Sequence, residues 1–234
     1  MNEEGERTIH ARVEGERHLE VLHLPEVRVS TASLVIIRDS QGRYALLVNQ
    51  NRAKKGEIVL TPVGGAIEAT PEGLESLKQL LGLDEASFES GADLRFTMSG
   101  SQANRYREWF LVGEQRESNP LREIQEELVD ESGLLSEDDL SELEWRKKGY
   151  ATELAQTTRK GQEGKQTLRL IEVFEVEING ETRQKLQDHA QLPKSLIRFV
   201  SENEIRNGKT IDGLEIGSIS KFLLNTEESI KEFE

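Results

Sequence analysis

The sequence has no cysteine, few aromatic residues (5%) and no long hydrophobic run. Without cysteine, the chain can form no disulfide, thiolate nucleophile or cysteine zinc site. Its apolar runs, such as residues 32–37, are far too short to cross a bilayer. Residues 1–4 are acidic and no apolar region follows them, which is unlike a secretory signal, so we expect a cytoplasmic protein.

Positive charge is also scarce. The chain has 30 Lys and Arg against 44 Asp and Glu, a formal net charge of -14. Such a field repels nucleic-acid backbones and anionic membrane surfaces, so we expect neither bulk nucleic acid nor membrane as a partner. A small anionic substrate would need a divalent cation or a local basic patch, and the excess of carboxylates supplies ligands for such a cation.

The remaining pattern is that of a mixed α/β protein. At 234 residues, the chain is long enough for one large domain with a real core. We predict an N-terminal extension over residues 1–26, where weak alternation favours an edge strand, and one domain over residues 27–234. Periodicity and turn signals predict strands at 27–38, 43–49, 58–62, 94–96, 150–156, 167–178 and 197–200, and helices at 71–81, 120–132, 182–188 and from about 218.

The helix predicted at 120–132 carries a cluster of carboxylates. Its buried stripe consists of apolar residues at helical spacing, Leu121, Ile124 and Leu128. Glu123 and Glu127 are four residues apart and share another face, with Glu126 beside them. Like charges at this spacing destabilise a bare helix by roughly 0.2–0.5 kcal/mol per pair. The cluster is therefore either a well-solvated surface or a site for a hard cation such as Mg²⁺.

Two segments together resemble the Nudix box. The first, Pro62-Val63-Gly64-Gly65-Ala66-Ile67-Glu68, is similar to its Pro-x-Gly-Gly-x-x-Glu beginning. The second, Arg122-Glu123-Ile124-Gln125-Glu126-Glu127, matches its Arg-Glu-apolar-x-Glu-Glu centre. Glu114 has the spacing of the glutamate that precedes the arginine in the box. Residues 197–205 also resemble a common Nudix ending, so the resemblance covers about residues 27–224.

The chain departs from the family pattern in two ways. Residues 69–113 separate the two segments as an insertion, and no glycine directly follows Leu128. The resemblance therefore implies a Nudix-type α/β/α sandwich with a mixed sheet and an insertion within the box. The stretch 117–135, with residues 94–96 and Trp109-Phe110 ahead of it, looks like the Nudix domains associated with bacterial cyclic-oligonucleotide defence operons.

The resemblance also implies roles for the site residues. A Mg²⁺ or Mn²⁺ ion would be held by three ligands, Glu123, Glu126 and Glu127. Arg122 would act with them in catalysis by orienting a glutamate through a charge-assisted bond. A carbonyl of Gly64 or Gly65 could also bind the cofactor, since glycine permits that close approach. The implied reaction is hydrolysis of a nucleoside diphosphate linked to another moiety, in bacterial antiphage nucleotide signalling.

Several alternatives stay open. In a second register of the box, the carboxylates are those of Glu127, Asp130 and Glu131, but no arginine precedes them. In a second function, the chain is a catalytically weak Nudix-fold nucleotide-binding or sensor module. Basic residues on two loops either contact substrate phosphates or are simply solvated: Arg52, Lys54, Lys55, Arg159, Lys160 and Lys165. The expected partner is a small nucleotide, and a homodimer is compatible with these observations.

We expect the insertion to be folded. Thr70 and Pro71 have the pattern of a helix N-terminus and Gly82 that of its end. The apolar residues between them recur at helical spacing, and Trp109 and Phe110 supply aromatic core material. Because the ends of the insertion must flank the box, we also expect it to shape substrate specificity.

Overall fold

A computed structural model of the chain describes residues 21–157 and 164–233. The predicted N-terminal extension lies almost entirely outside the described residues, as do Arg159 and Lys160. Of the edge strand predicted at 19–24, the described residues 21–23 form a helical turn instead. Val21 is fully buried there, so this turn is part of the core.

The strands of the described residues form two sheets. In chain order they are β1 (Val27–Ile37), β2 (Tyr44–Val48), β3 (Val59–Thr61), β4 (Val63–Ala66), β5 (Arg95–Met98), β6 (Glu144–Gln156), β7 (Gln166–Glu177), β8 (Ile197–Val200) and β9 (Glu215–Ile216). One sheet has the order β4-β1-β7-β6, with β5 also paired to β1, and the other has the order β8-β2-β3-β9. Both are mixed, since β1 pairs parallel with β7 and β3 parallel with β9, while the other pairs are antiparallel.

The helices follow the same order. They are α1 (Gln50–Ala53), α2 (Pro71–Leu81), α3 (Ala103–Val112), α4 (Leu121–Ile124, continued by the π-helical residues Gln125–Glu131), α5 (Glu137–Leu140), α6 (Gly180–Gln191) and α7 (Glu202–Asn207). Short 3₁₀ turns lie at Glu85–Ser87, Gly100–Gln102 and Ser218–Leu223. Among the residues described, none of the helices has the length and apolar character needed to cross a membrane.

Strand β1 is buried on both faces, which explains its nearly continuous apolar sequence. Val35 and Ile37 belong to a core cluster that contains residues of α4 and α6. Leu34 and Ile36 point the other way, into a cluster that contains residues of α7 and of the turn Ser218–Leu223. The strands thus form the central layer between two helical layers, and the predicted α/β/α class is confirmed.

The segment 69–113 is folded and has its own core. α2 begins after the N-cap Thr70 and ends at Gly82, as the sequence pattern predicts. The apolar segment at 106–112 forms α3, whose Tyr106 and Phe110 are fully buried. The ring of Phe96 from β5 packs edge-on against Tyr106, with centroids 5.1 Å apart. Since β5 pairs with β1, this core is continuous with the main sheet.

The last described residues also pack on the insertion. Ile230 and Phe233 are buried in the same cluster as α2 and α3. The Asn104 side chain donates to the Phe233 carbonyl (2.7 Å) and accepts from its N–H (2.8 Å). Arg107 donates to the carbonyl of Ile230 (2.6 Å). The C-terminal segment is therefore fixed to α3 by both side chains and backbone.

The two ends of the insertion are joined by backbone hydrogen bonds. The N–H of Thr70 donates to the Gln115 carbonyl (3.0 Å), and the N–H of Glu117 donates to the Glu68 carbonyl (2.9 Å). Ala69 and Arg116 form the bridge between them. The chain therefore leaves and re-enters the domain at one point, which we call the neck (residues 68–70 and 115–117).

Gly64 and Gly65 lie inside strand β4. Two local predictions differ from the structure. The basic loop between the strands predicted at 43–49 and 58–62 contains helix α1, whose N-terminus is capped by Asn49. The helix predicted from about 218 is a single 3₁₀ segment, Ser218–Leu223, because its residues pack into the core over two short turns.

Gly73 in α2 packs tightly against the neck. A Cβ at Gly73 would lie 2.0 Å from the Gln115 carbonyl oxygen, which is a backbone atom. Alanine normally stabilises a helix interior by about 0.5–1 kcal/mol relative to glycine. Here we expect Gly73→Ala to destabilise the protein by about 1–3 kcal/mol, since the neck must shift. Urea unfolding measures the change.

Gly180→Ala is the matched control, since a Cβ at the first residue of α6 meets nothing within 4 Å. It should leave stability unchanged or raise it slightly. Equal stability of the two variants would contradict the tight packing of α2 on the neck.

Candidate functional site

Helix α4 lies against strand β4, and two of its glutamates contact the glycine pair. Ile124 and Leu128 are fully buried and fix the helix on the sheet. Glu127 Oε2 accepts a hydrogen bond from the N–H of Gly64 (3.1 Å). A Cβ at Gly65 would lie 2.2 Å from Glu123 Oε2. Gly65 therefore leaves the space that the Glu123 carboxylate occupies, and Gly64 holds Glu127 through its backbone N–H.

The backbone also requires glycine at the first of the two positions. Gly64 has φ +142, and a Cβ there would lie 2.1 Å from the Ser33 carbonyl oxygen of the neighbouring strand. Gly65 has no positive φ, so the backbone does not require glycine there. A larger residue is excluded because its Cβ would overlap the Glu123 carboxylate. The pair thus has two separate reasons to be glycine, one in the backbone and one in the site.

Arg122 binds three carboxylates at once. Its guanidinium makes two hydrogen bonds of 3.0 Å with Glu117 and contacts both oxygens of Glu126 (3.0 and 3.1 Å). It also donates to Glu123 Oε1 (2.5 Å) and to the carbonyl of Ala66 (2.7 Å). The arginine thus fixes Glu123 to the end of β4.

Glu123 and Glu127 are in an unfavourable place for two negative charges. Burial raises the pKa of Glu123 to about 7, and the charges of Glu126 and Glu117 add to this while Arg122 opposes it. Burial also raises the pKa of Glu127 to about 8, against the hydrogen bond from Gly64. A cation between the two carboxylates would relieve this repulsion.

The third predicted ligand is oriented differently. The Glu126 side chain is about half exposed (48%) and both its oxygens face Arg122. Across residues 21–157 and 164–233, no three His, Asp or Glu side chains are gathered as a metal site. Two carboxylates still fit Mg²⁺, which often takes one or two from the protein and completes its shell with waters and phosphates. The carboxylate oxygens of Glu123 and Glu127 are the donor type that this ion prefers.

The helix that carries these carboxylates widens into a π-helix over Gln125–Glu131. The Ser132 hydroxyl donates to the Glu127 carbonyl (2.6 Å), and Gly133, at φ +61, follows the helix. A π segment has more residues per turn than an α-helix, and such segments are frequent at functional sites. It shifts which side chains share a face, so α-helical spacing alone misplaces the residues after Ile124.

The contacts of Arg122 favour the first register of the box. In the second register, Asp130 is exposed and accepts a hydrogen bond only from Gln125 (3.2 Å) among the described side chains. Glu131 is exposed as well, although its charge contributes to the raised pKa of Glu127. Neither carboxylate is placed against the glycine pair.

Behind the site, a buried ion pair holds the neck in place. Arg116 makes two hydrogen bonds with Glu172 of β7 (2.9 and 2.8 Å), and both side chains are 1% exposed. Lys147 adds a second cation on Glu172 (2.7 Å). Arg116 also donates to the carbonyl of Glu117 (2.7 Å), so the residue that binds Arg122 is tied to the central sheet.

A comparison with protein families agrees with this geometry. The family model described as SMODS-associated NUDIX domain matches residues 26–224. The chain belongs to this family. The predicted Nudix resemblance, including its association with defence operons, is therefore confirmed. No match was found among curated proteins or among solved structures.

In this Nudix domain Arg122 binds Glu117, and not Glu114, which has the spacing of the glutamate in the box. Glu114 has the expected distance in sequence but is exposed on a turn, whereas Glu117 is largely buried and makes both bonds to the guanidinium. Glu117 reaches Arg122 because the neck brings the chain back beside β4. Because the insertion divides the box, the spacing along the sequence no longer identifies the glutamate that contacts Arg122. Glu117 is placed there by its backbone hydrogen bond to Glu68, which cannot be read from the sequence.

The first site prediction concerns the space at Gly65. Gly65→Ala should weaken binding of Mn²⁺ to the Nudix domain by at least about tenfold, because its Cβ would displace the Glu123 carboxylate. Isothermal titration calorimetry measures the binding, and thermal unfolding checks the fold. Gly180→Ala, in open space, should bind Mn²⁺ as the wild type does. Unchanged binding in Gly65→Ala would separate Glu123 from the metal.

The second site prediction compares two glutamates. Glu117→Ala should weaken Mn²⁺ binding by about tenfold, because Arg122 would then be shared by fewer carboxylates and would compete more strongly for Glu123. Glu114→Ala is the matched control and should have no effect, since that side chain is exposed. The opposite ranking would contradict the role of Glu117 in positioning Arg122.

Proposed function

We propose that this Nudix domain is a metal-dependent hydrolase of a nucleoside diphosphate linked to another moiety, acting in antiphage nucleotide signalling in the bacterial cytoplasm. The observation that carries the proposal is the placement of Glu123 and Glu127 against Gly64 and Gly65. A solvated acidic helix face would not bury Glu123 against a strand and hydrogen-bond Glu127 to its backbone. The family membership supports a Nudix-type function.

Each residue of the site has a separate proposed role. A Mg²⁺ or Mn²⁺ ion would be held by Glu123 and Glu127, with Glu126 joining directly or through a water. When bound, the ion would polarise the diphosphate and lower the pKa of a water nucleophile. Arg122 keeps the Glu123 carboxylate turned toward β4. Gly64 donates its N–H to Glu127 and so fixes the second carboxylate.

A second candidate function has its own supporting observation. Arg122 already neutralises Glu123 and Glu126, and the described residues hold no ready group of three metal ligands. A domain in this state would bind a nucleotide without rapid hydrolysis, as a sensor module does. The two functions differ in whether a divalent ion displaces the contacts of Arg122.

Hydrolysis with defined variants tests the proposal. A panel of nucleoside diphosphate derivatives is incubated with Mg²⁺ or Mn²⁺, and release of phosphate or nucleoside monophosphate is measured. Glu123→Gln and Glu127→Gln should each lower kcat by at least about 100-fold, because an ion supplies several kcal/mol of charge stabilisation. Asp130→Asn should be mild, since Asp130 is exposed and away from the glycine pair.

The opposite ranking, with Asp130→Asn the more damaging change, would favour the second register. If the wild type binds nucleotides in calorimetry but releases no product with either metal, the sensor function is the correct one.

A further inference from the structure

A cleft opens beside the carboxylates, between α1 and the end of α4. Its volume is about 440 Å³, and Glu127 lines it together with Glu131. That volume lies within the range of small-molecule sites. A ligand in this cleft would have one end next to Glu127, and therefore next to the candidate metal face.

One wall of the cleft carries polar side chains without partners. Gln50, Asn51 and Lys54 line it. Within the described part of the chain, these three side chains make no hydrogen bond or ion pair. Their neighbour Arg52, in contrast, forms ion pairs with Glu57 and Glu215. Two amides and one ammonium group thus remain available to a ligand on the same wall.

The cleft also has an apolar surface. Leu47 and Val48 at the end of β2 and Leu196 before β8 contribute it, with Thr61 beside them. Leu47 is only 7% exposed, so most of the accessible part of this surface comes from Val48, Thr61 and Leu196, which are half-buried. A flat heterocyclic ring can pack on aliphatic side chains of this kind, while its edge stays within reach of the amides.

The charges in the cleft restrict which anion can enter. Lys54 is the basic residue among those that line it, against the carboxylates of Glu127 and Glu131. The chain as a whole carries -14. A diphosphate would therefore depend on Lys54 and on a bound cation for its neutralisation.

We propose that this cleft is the nucleotide-binding site, in which Lys54 pairs with the diphosphate and the amides of Gln50 and Asn51 hydrogen-bond the edge of the base. The base lies on the surface formed by Leu47, Val48 and Leu196, and the diphosphate points to Glu127. Amide side chains suit a base edge because each offers a donor and an acceptor side by side. This inference rests on the proposed function, since it places the substrate of that reaction.

Calorimetry tests the phosphate contact. Wild-type protein and variants are titrated with pyrophosphate, ADP, GDP, CDP and UDP in the presence of Mg²⁺. Lys54→Met should weaken all five ligands by about tenfold, because one charge-assisted bond is lost in each complex. Lys55→Met is the matched control, since Lys55 is exposed on the same turn but does not line the cleft, and it should leave every Kd unchanged.

The proposed base contacts are tested by comparing pyrophosphate with the nucleotides. Gln50→Ala and Asn51→Ala should leave pyrophosphate binding unchanged, because pyrophosphate has no base. They should weaken the nucleotide that the wild type prefers by at least about threefold and so reduce the difference among the four bases. Equal losses for pyrophosphate and for all nucleotides would overturn the assignment of the amides to the base.

The outcomes separate this site from the proposed hydrolysis. If nucleotides bind with the expected pattern but no product is released, the cleft stands and the hydrolase function fails. If hydrolysis occurs while Lys54→Met and Gln50→Ala leave both Kd and KM unchanged, the cleft is not the site. If the wild type binds none of the five ligands, the inference is overturned.

Discussion

Glu172 is a buried carboxylate in the central strand β7, and the geometry of the site depends on how its charge is compensated. Arg116 and Lys147 both bind it, and the first of these contacts is almost fully shielded from water. Breaking such a pair leaves an uncompensated charge in the interior, which typically costs about 3–5 kcal/mol. From Arg116 the connection continues through the carbonyl of Glu117 and its carboxylate to Arg122. The position of α4 is thus coupled to the middle of the sheet.

The neck explains how a box divided by residues 69–113 can still form one site. Backbone pairing between Ala69 and Arg116 brings the two ends of the insertion together. Gly65 and Glu123 are therefore in contact, although they are 58 residues apart in the sequence. Long insertions of this kind are tolerated because the entropy of closing a loop grows slowly with its length. Here the insertion also buries an aromatic core of its own, which offsets part of that cost.

Local signals in the sequence predicted several helices and strands well. The features that the sequence did not predict depend on tertiary contacts. The cap and stop residues of α2 act within one turn, so both of its ends could be located. Of the predicted buried stripe of α4, Ile124 and Leu128 are buried, but Leu121 in the first turn is 39% exposed, so that part of the prediction was wrong. The π-helical continuation, by contrast, depends on packing against β4, and the pairing of Glu117 with Arg122 depends on the neck. Neither leaves a periodic pattern that could be read along the chain.

The contacts of the C-terminal segment bear on the order in which the chain can fold during synthesis. Ile230 and Phe233 complete the core around α3, yet they are made more than a hundred residues after Asn104 and Arg107. Strand β1 likewise cannot pair with its parallel neighbour β7 until β7 has been synthesised. Contacts this far apart form slowly and leave apolar surface uncovered in the meantime. Until residues 230–233 emerge from the ribosome, the nascent chain therefore leaves uncovered the part of the insertion core that they cover in the folded protein.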